Sequence, residues 1–254
     1  MMRGAILHLD VAQLVLYAFF VFFAGLIWYL RQEDRREGYP LESEADGVVR
    51  SRGFLFIPAP KTFRLADGSV IKAPTLQPDA RPLNAAKVEP WPGAPFEPTG
   101  DPLLSGVGPG AFAVRPDFPA KTHDGHTLIA PMRVATNYTV APEGGNPLGF
   151  VVIGVDRKAA GAVKDIWVDR AETTLRYYEV ALENSRSALI PVRFADVNFR
   201  ARSIKVNALR ASQFAQVPAL ADPDCVTMQE EDKIAAFYGA GTLYATPARA
   251  EPLL

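Results

Sequence analysis

One apolar run dominates the chain. Residues 11–30, VAQLVLYAFFVFFAGLIWYL, carry no charge, and about twenty such residues let an α-helix cross the hydrocarbon core of a bilayer. The pattern predicts a transmembrane helix over 11–31. Arg31, Arg35 and Arg36 follow at once, and no second run of this kind occurs in the more than two hundred residues beyond. From Gly149 the pattern becomes a series of short runs, GFVVIGVD, GAVKDIWVD, TLRYYEVAL, SALIPVRF and SIKVNAL, separated by polar or glycine-containing breaks. Such spacing of β-branched and aromatic residues predicts a small antiparallel barrel or sandwich. In Asp165-Ile166-Trp167-Val168-Asp169 a period of two sets Ile166 and Val168 on one face and both aspartates on the other. Thr227-Met228-Gln229-Glu230 has the spacing of a capping box. It predicts a helix with Ile234, Phe237 and Tyr238 on one face, stopped by Gly239 or Gly241. The fold class is therefore one N-terminal transmembrane α-helix plus a mainly β (α+β) domain.

A cleaved signal peptide is the competing reading of the apolar run. Its hydrophobic region is shorter, follows a basic segment and ends in small residues. Here Arg3 is matched by Asp10 before the run, and the run ends in Trp28, Tyr29 and Leu30. Trp28 and Tyr29 suit the aromatic belt of a membrane interface, and Arg31, Arg35 and Arg36 suit lipid headgroups. By the positive-inside rule the three arginines put the N-terminus outside and the body in the cytoplasm. Ala18 and Gly25 share a helix face on which a neighbouring helix can approach closely.

Half of the 22 prolines lie between Pro40 and Pro102, which excludes long helix or central sheet there. Phe54, Phe56, Phe63, Trp91 and Phe96 are interleaved with them, more large apolar groups than a solvated linker carries. The stretch predicts an ordered, extended segment lying along a surface, with one hairpin turn at Asp67-Gly68. The resulting division is 1–10, an N-terminal segment; 11–31, the helix; 32–105, the extended segment; 106–148, a connecting lobe; and 149–254, the β domain with its C-terminal helix and tail.

Composition narrows the function. Net charge is −1 with no basic block, which argues against nucleic acid. The single cysteine, Cys225, forms no intramolecular disulfide, as suits a reducing compartment; without a nearby histidine it reads as an inert thiol. None of the three histidines lies in the apolar run, so the helix offers no axial ligand to a metallated pigment. Gly106-Val107-Gly108-Pro109-Gly110 lacks the flanking strand and helix of a phosphate cradle and reads as a turn. His123, Asp124 and His126 are chemically able to hold a cation, but as one short cluster they read as a solvated loop. No nucleophile, zinc-type cysteine pair or cofactor loop is present, and the chain reads as a non-enzyme. Asp165, Asp169, Glu172 and Arg176 form either a charged hairpin surface or, under a partner protein, a proton path.

The segments FAGLIWYLRQEDRREGYPLE, PAPKTF, PTGDPLLSGVGP, NPLGFVV, KDIWVDRAE, VNAL and EEDKIAAFYGAGTLYA together resemble the H subunit of the purple-bacterial photosynthetic reaction centre, nearly end to end. The resemblance implies a PRC-type β-barrel in the C-terminal part and a place capping the cytoplasmic face of the L and M subunits. Antenna subunits and membrane lipids are implied around the complex, in a bacterial photosynthetic inner membrane. Bacteriochlorophyll, bacteriopheophytin, quinone and non-haem iron are implied in the partner subunits and none in this chain. By position within DIWVDRAE, the resemblance implies that Glu172 is a relay carboxylate toward the secondary quinone, with Asp169 beside it and Arg176 tuning their charge. Related H subunits carry an Asp-Gly-His-Gly-His run at the proton-entry loop. Here, counted from Pro131-Met132, His126 keeps its place and Asp124 replaces the other histidine, so proton capture carries over and the family's metal binding does not. A membrane-tethered PRC-barrel adaptor or assembly factor without pigments is the alternative reading.

Overall fold

The computed structural model describes residues 10–39, 41–43, 49–50, 56–65, 68–75, 81–183 and 185–249. It forms two compact units, one of residues 1–81 with 91–93 and one of 82–90 with 94–254.

In the first unit, helix α1 (Val11–Glu33) begins at Asp10, whose carboxylate accepts from the backbone N–H of Ala12. Its 23 residues rise about 35 Å and none is buried. Its length and apolar composition fit a membrane span. The chain leaves through a short 3-10 turn and pairs in strands β1 (Leu41–Glu42) with β2 (Val49–Arg50) and β3 (Lys61–Arg64) with β4 (Val70–Ala73). The β3–β4 hairpin has the turn expected of it: Gly68 has φ +84° and donates its N–H to the Leu65 carbonyl. Asp67, Phe54 and Pro40 lie outside the described residues.

The second unit opens with the pair β5 (Ala85–Lys87) and β6 (Phe96–Pro98). Seven further strands then form one sheet: β7 (Ile129–Pro131), β8 (Val151–Gly154), β9 (Ala159–Asp169), β10 (Thr174–Leu182), β11 (Ser187–Pro191), β12 (Ala195–Asn198) and β13 (Ser203–Val206). The spatial order is β11-β10-β9-β8-β13-β12, with β7 added to β9. Among the described strands, β8 and β13 alone run parallel. Helix α2 (Met228–Tyr244) completes the core, in which Val152, Ile166, Trp167, Val180, Ile190, Ile204 and Leu209 of the sheet side meet Ile234, Phe237 and Tyr238 of the helix.

The capping box forms reciprocally, with Thr227 Oγ1 accepting from the Glu230 N–H and the Glu230 carboxylate accepting from the Thr227 N–H. The expected stop at Gly239 or Gly241 does not occur, since α2 runs on to Tyr244. The two glycines instead permit close approach. A Cβ on Gly239 would meet the Pro109 carbonyl, and one on Gly241 the Ala208 carbonyl. Within the Gly106–Gly110 cluster, Gly108–Gly110 is a 3-10 turn packed on this helix, Gly110 facing the Ala240 Cβ.

Two register shifts between β9 and β10 change which side chains face inward. The pairing passes from Leu175↔Val168 to Tyr177↔Trp167, leaving Arg176 as an extra residue, and from Glu179↔Asp165 to Val180↔Val163, leaving out Lys164. A bulge bends the strand and re-aims side chains. Here Tyr177 and Tyr178 are both buried, and so are Asp165 and Asp169. The alternation expected of residues 165–169 holds, with both aspartates on one face and Ile166 and Val168 on the other, and both faces of β9 are covered at this end.

Candidate functional site

The β9–β10 hairpin carries the predicted carboxylates, and its turn is built by one of them. Asp169 Oδ1 accepts from the N–H groups of Ala171 and Glu172, each at 3.0 Å, while its own carbonyl accepts from Thr173. A short carboxylate suits this role, because it satisfies turn donors that no strand partner reaches. Asp169 is thus buried as a turn-former and Glu172 stands exposed at the tip. Arg176, displaced by the bulge, points away from both. Its guanidinium lies 3.9 Å from Glu231 on α2, and the Tyr177 hydroxyl donates to the same carboxylate at 3.1 Å.

Arg176, Tyr177, Arg115, Arg193, Glu231 and Asp232 form the polar part of a hollow of about 480 Å³ whose remaining lining is largely apolar. Burial pushes the Glu231 carboxyl above its ordinary range, against the pull of the Tyr177 hydrogen bond and of Arg176 and Arg115. Burial likewise pushes the Tyr177 hydroxyl up, and the neighbouring Glu231 adds to it. A carboxyl held this way exchanges protons nearer neutrality than a free one.

The His123–Asp124–Gly125–His126 segment is the end of a tight loop. Thr122 and His126 exchange backbone and side-chain hydrogen bonds, and Gly125 takes φ +83° where the chain reverses. His123 Nδ1 lies 2.8 Å from Asp124 Oδ1, both well exposed. Asp124, His126 and Tyr138 line a second hollow of about 580 Å³ together with Arg170 and Ala171. The hairpin therefore contributes to both hollows, Arg170 and Ala171 to this one and Thr174–Tyr177 to the other. Among the described residues no three His, Cys, Asp or Glu side chains gather as metal ligands.

A charge cluster that sequence reasoning missed lies in the middle of the hairpin. Asp165 and Glu179 are direct cross-strand partners, and like charges so placed repel. Arg133 Nη1 sits between them, 2.8 Å from Asp165 and 2.6 Å from Glu179, and its other nitrogens reach Asp224 at 3.0 Å and the Pro223 carbonyl. Lys164, turned by its bulge, binds Glu179 at 2.8 Å, and Trp167 Nε1 donates to the same carboxylate at 3.1 Å. Burial alone would raise the Glu179 carboxyl; hydrogen bonds from Lys164, Arg133 and Trp167 outweigh it and hold it below the ordinary range. No local pattern marks Arg133, because its partners lie 32, 46 and 91 residues away.

At the membrane helix, Trp28, Tyr29 and Arg31 are exposed, with Arg31 3.6 Å from Asp34, and Arg35 is half-buried over the Tyr39 ring. Arg36 departs from the expectation of a headgroup contact. It turns inward, its side chain 10 % exposed, binding Glu33 at 2.8 Å and the carbonyls of Ala59 and Ala73 at 2.8 and 3.0 Å. The inert reading of Cys225 fits its surroundings: burial and the adjacent Asp222 push the thiol up to about 11.

Comparison with known families gives two matches. Residues 4–134 match the family described as photosynthetic reaction centre, H-chain N-terminal region, and residues 143–213 match the PRC-barrel domain.

Proposed function

Because the chain belongs to the photosynthetic reaction centre H-chain family and carries its PRC-barrel domain, we propose that it caps the cytoplasmic side of the L and M subunits, shields the quinone sites from water and carries protons to the secondary quinone. Membership alone makes it a structural, single-pass membrane subunit associated with the reaction-centre complex. The orientation, N-terminus in the periplasm and body in the cytoplasm of the photosynthetic membrane, rests on Arg31, Arg35 and Arg36 following the helix. Pigments, quinones and iron belong in this reading to the partner subunits.

The capping role draws support from the proline-rich stretch, where Phe56 ahead of β3 and Trp91 and Phe96 of the β5–β6 hairpin stay exposed. Extended, proline-restricted backbone lies on a partner surface at low entropic cost.

The observation that carries the proton-conducting role is the hairpin tip. Glu172 is an exposed carboxylate whose backbone is pinned by buried Asp169, next to a hollow lined by Asp124 and His126. A reduced quinone in an apolar pocket needs protons delivered along ionisable groups. The entry loop supplies groups that exchange protons with solvent, and a carboxylate on a fixed turn offers a defined hand-over point. In this reading Asp169 is a positioning residue, and Arg176 acts on the neighbouring hollow through Glu231. Glu172→Gln is expected to slow the proton-coupled second electron transfer to the quinone while leaving primary charge separation unchanged. Flash spectroscopy on the assembled complex reads both, and an unaltered second transfer removes Glu172 from the path.

A further inference from the structure

The β3–β4 hairpin is fastened to the end of the membrane helix. Arg36 binds the carbonyls of Ala59, just before β3, and Ala73, at the end of β4. Lys61 Nζ reaches Glu33 at 2.7 Å and stands 5.6 Å from the centre of the Tyr29 ring. Tyr29 lies about 6 Å along the axis from Glu33 and within the apolar run. These contacts hold the hairpin at the depth where hydrocarbon gives way to headgroups.

The register decides which side faces that boundary. Lys61 pairs with Ala73 and Phe63 with Ile71, whereas Thr62 pairs with Lys72 and Arg64 with Val70. Cross-strand partners share a face, so Phe63 and Ile71 lie on the side from which Lys61 reaches Tyr29. They are 40 % and 48 % exposed, and no residue of either strand is buried. Residues 61–73 carry three cations, Lys61, Arg64 and Lys72, against one carboxylate, Asp67. Lys61 shares the face of this apolar pair, and Arg64 and Lys72 extend from the opposite face. A ribbon of this kind matches an anionic lipid surface: the apolar face enters the acyl boundary and the long stems of the other face extend to phosphates.

We propose that the Phe63–Ile71 face of the β3–β4 hairpin seats in the anionic headgroup layer of the membrane, as a second lipid-contacting element beside the helix. This rests on the membrane-subunit reading but not on proton conduction.

The test uses the full chain in the assembled complex, in nanodiscs of phosphatidylcholine with a minority of phosphatidylglycerol. A fluorophore is attached at Ile71→Cys, and at Ala201→Cys, in the exposed β12–β13 turn, as reference. The signal of complex without either substitution is subtracted. The quenchers are nitroxide on an upper acyl chain and aqueous iodide. The label at 71 is expected to be quenched by the lipid nitroxide several-fold more than that at 201. Nitroxide on phosphatidylglycerol should quench more than nitroxide on phosphatidylcholine, and Lys72→Gln should reduce that preference by up to about five-fold. Phe63→Cys reads the same face if Ile71→Cys does not assemble. Protection from both quenchers would mean that a partner subunit covers the face, and iodide quenching equal to that at 201 would mean that it faces water. Either result overturns the proposal, as does lipid quenching without an anionic preference. The pigment spectrum of the same complex reports assembly independently, so failure here leaves the subunit assignment standing.

Discussion

Replacing Arg133 by methionine removes the cation between two opposed carboxylates. The cluster holds Asp165, Glu179 and Asp224 against Arg133 and Lys164. The substitution leaves three negative groups and one positive, with Glu179 only 3 % exposed. Removing one partner of a buried ion pair costs about 3–5 kcal/mol, because the other charge stays desolvated. Lys164 and Trp167 still serve Glu179, and Arg133 is itself partly exposed, so the lower figure, about 3 kcal/mol, applies. In a unit of this size that lowers the melting temperature by about 6–12 °C. The acid limb should move too. The folded-state pKa of Glu179 lies below its ordinary value of 4.5, so its stabilisation is complete above that pH and fades as pH falls through the lowered value. Without Arg133 the lowering shrinks and acid unfolding begins at higher pH. Thermal unfolding of the full chain in mild detergent, followed by near-ultraviolet circular dichroism at several pH values, measures both effects. Adding Glu179→Gln to Arg133→Met should recover at least about 1 kcal/mol, the coupling of directly bonded groups. A loss under about 1 kcal/mol for Arg133→Met, or no recovery in the double variant, would refute the account.

Gly241→Ala places a Cβ against the Ala208 carbonyl and the Leu209 side chain, and overpacking of this kind should cost about 1–3 kcal/mol in denaturant unfolding. Glu231 has its carboxyl raised by burial above the ordinary 4.5, so it takes stability away as pH rises through that window. Glu231→Gln should flatten the decline of melting temperature from about pH 4.5 upward, and an unchanged profile would contradict the assigned burial. The Tyr238 hydroxyl is fully buried and has no hydrogen-bond partner among the described residues. Tyr238→Phe should therefore be neutral or stabilising by about 1 kcal/mol, and marked destabilisation would show that the hydroxyl is satisfied.

Much of the fold was legible because its signals are local. The uncharged run 11–30 became α1, the five apolar runs after Gly149 became β8, β9, β10, β11 and β13, and Thr227–Glu230 formed the box it spells. Strands β7 and β12, IAP and ADVN, are too short to show a period, and the partner of β7 lies well along the chain in β9. The two glycines of α2 misled, because a glycine that ends a helix and one that admits a neighbouring carbonyl look alike in sequence. The site was half legible: Asp169, Glu172 and Arg176 do cluster on one hairpin, but the bulge at Arg176 sends it to the α2 side. Asp169 is committed to a turn, and Arg36 to the hairpin beside the helix. Bulges depend on what the strand packs against, and alternation alone does not disclose them.

The place of Arg133 in the chain has a consequence for modularity. It belongs to the stretch that matches the H-chain region, whereas Asp165 and Glu179 belong to the stretch that matches the barrel domain. The barrel segment on its own sets two acids face to face and borrows its principal counter-ion from the preceding sequence. Excised at the family boundary, this barrel would lose strand β7 and the core side chain of Ile129 together with its charge balance. Its dependence on the upstream region is thus electrostatic as well as apolar, and another leader would have to supply both an edge strand and an arginine at the same point.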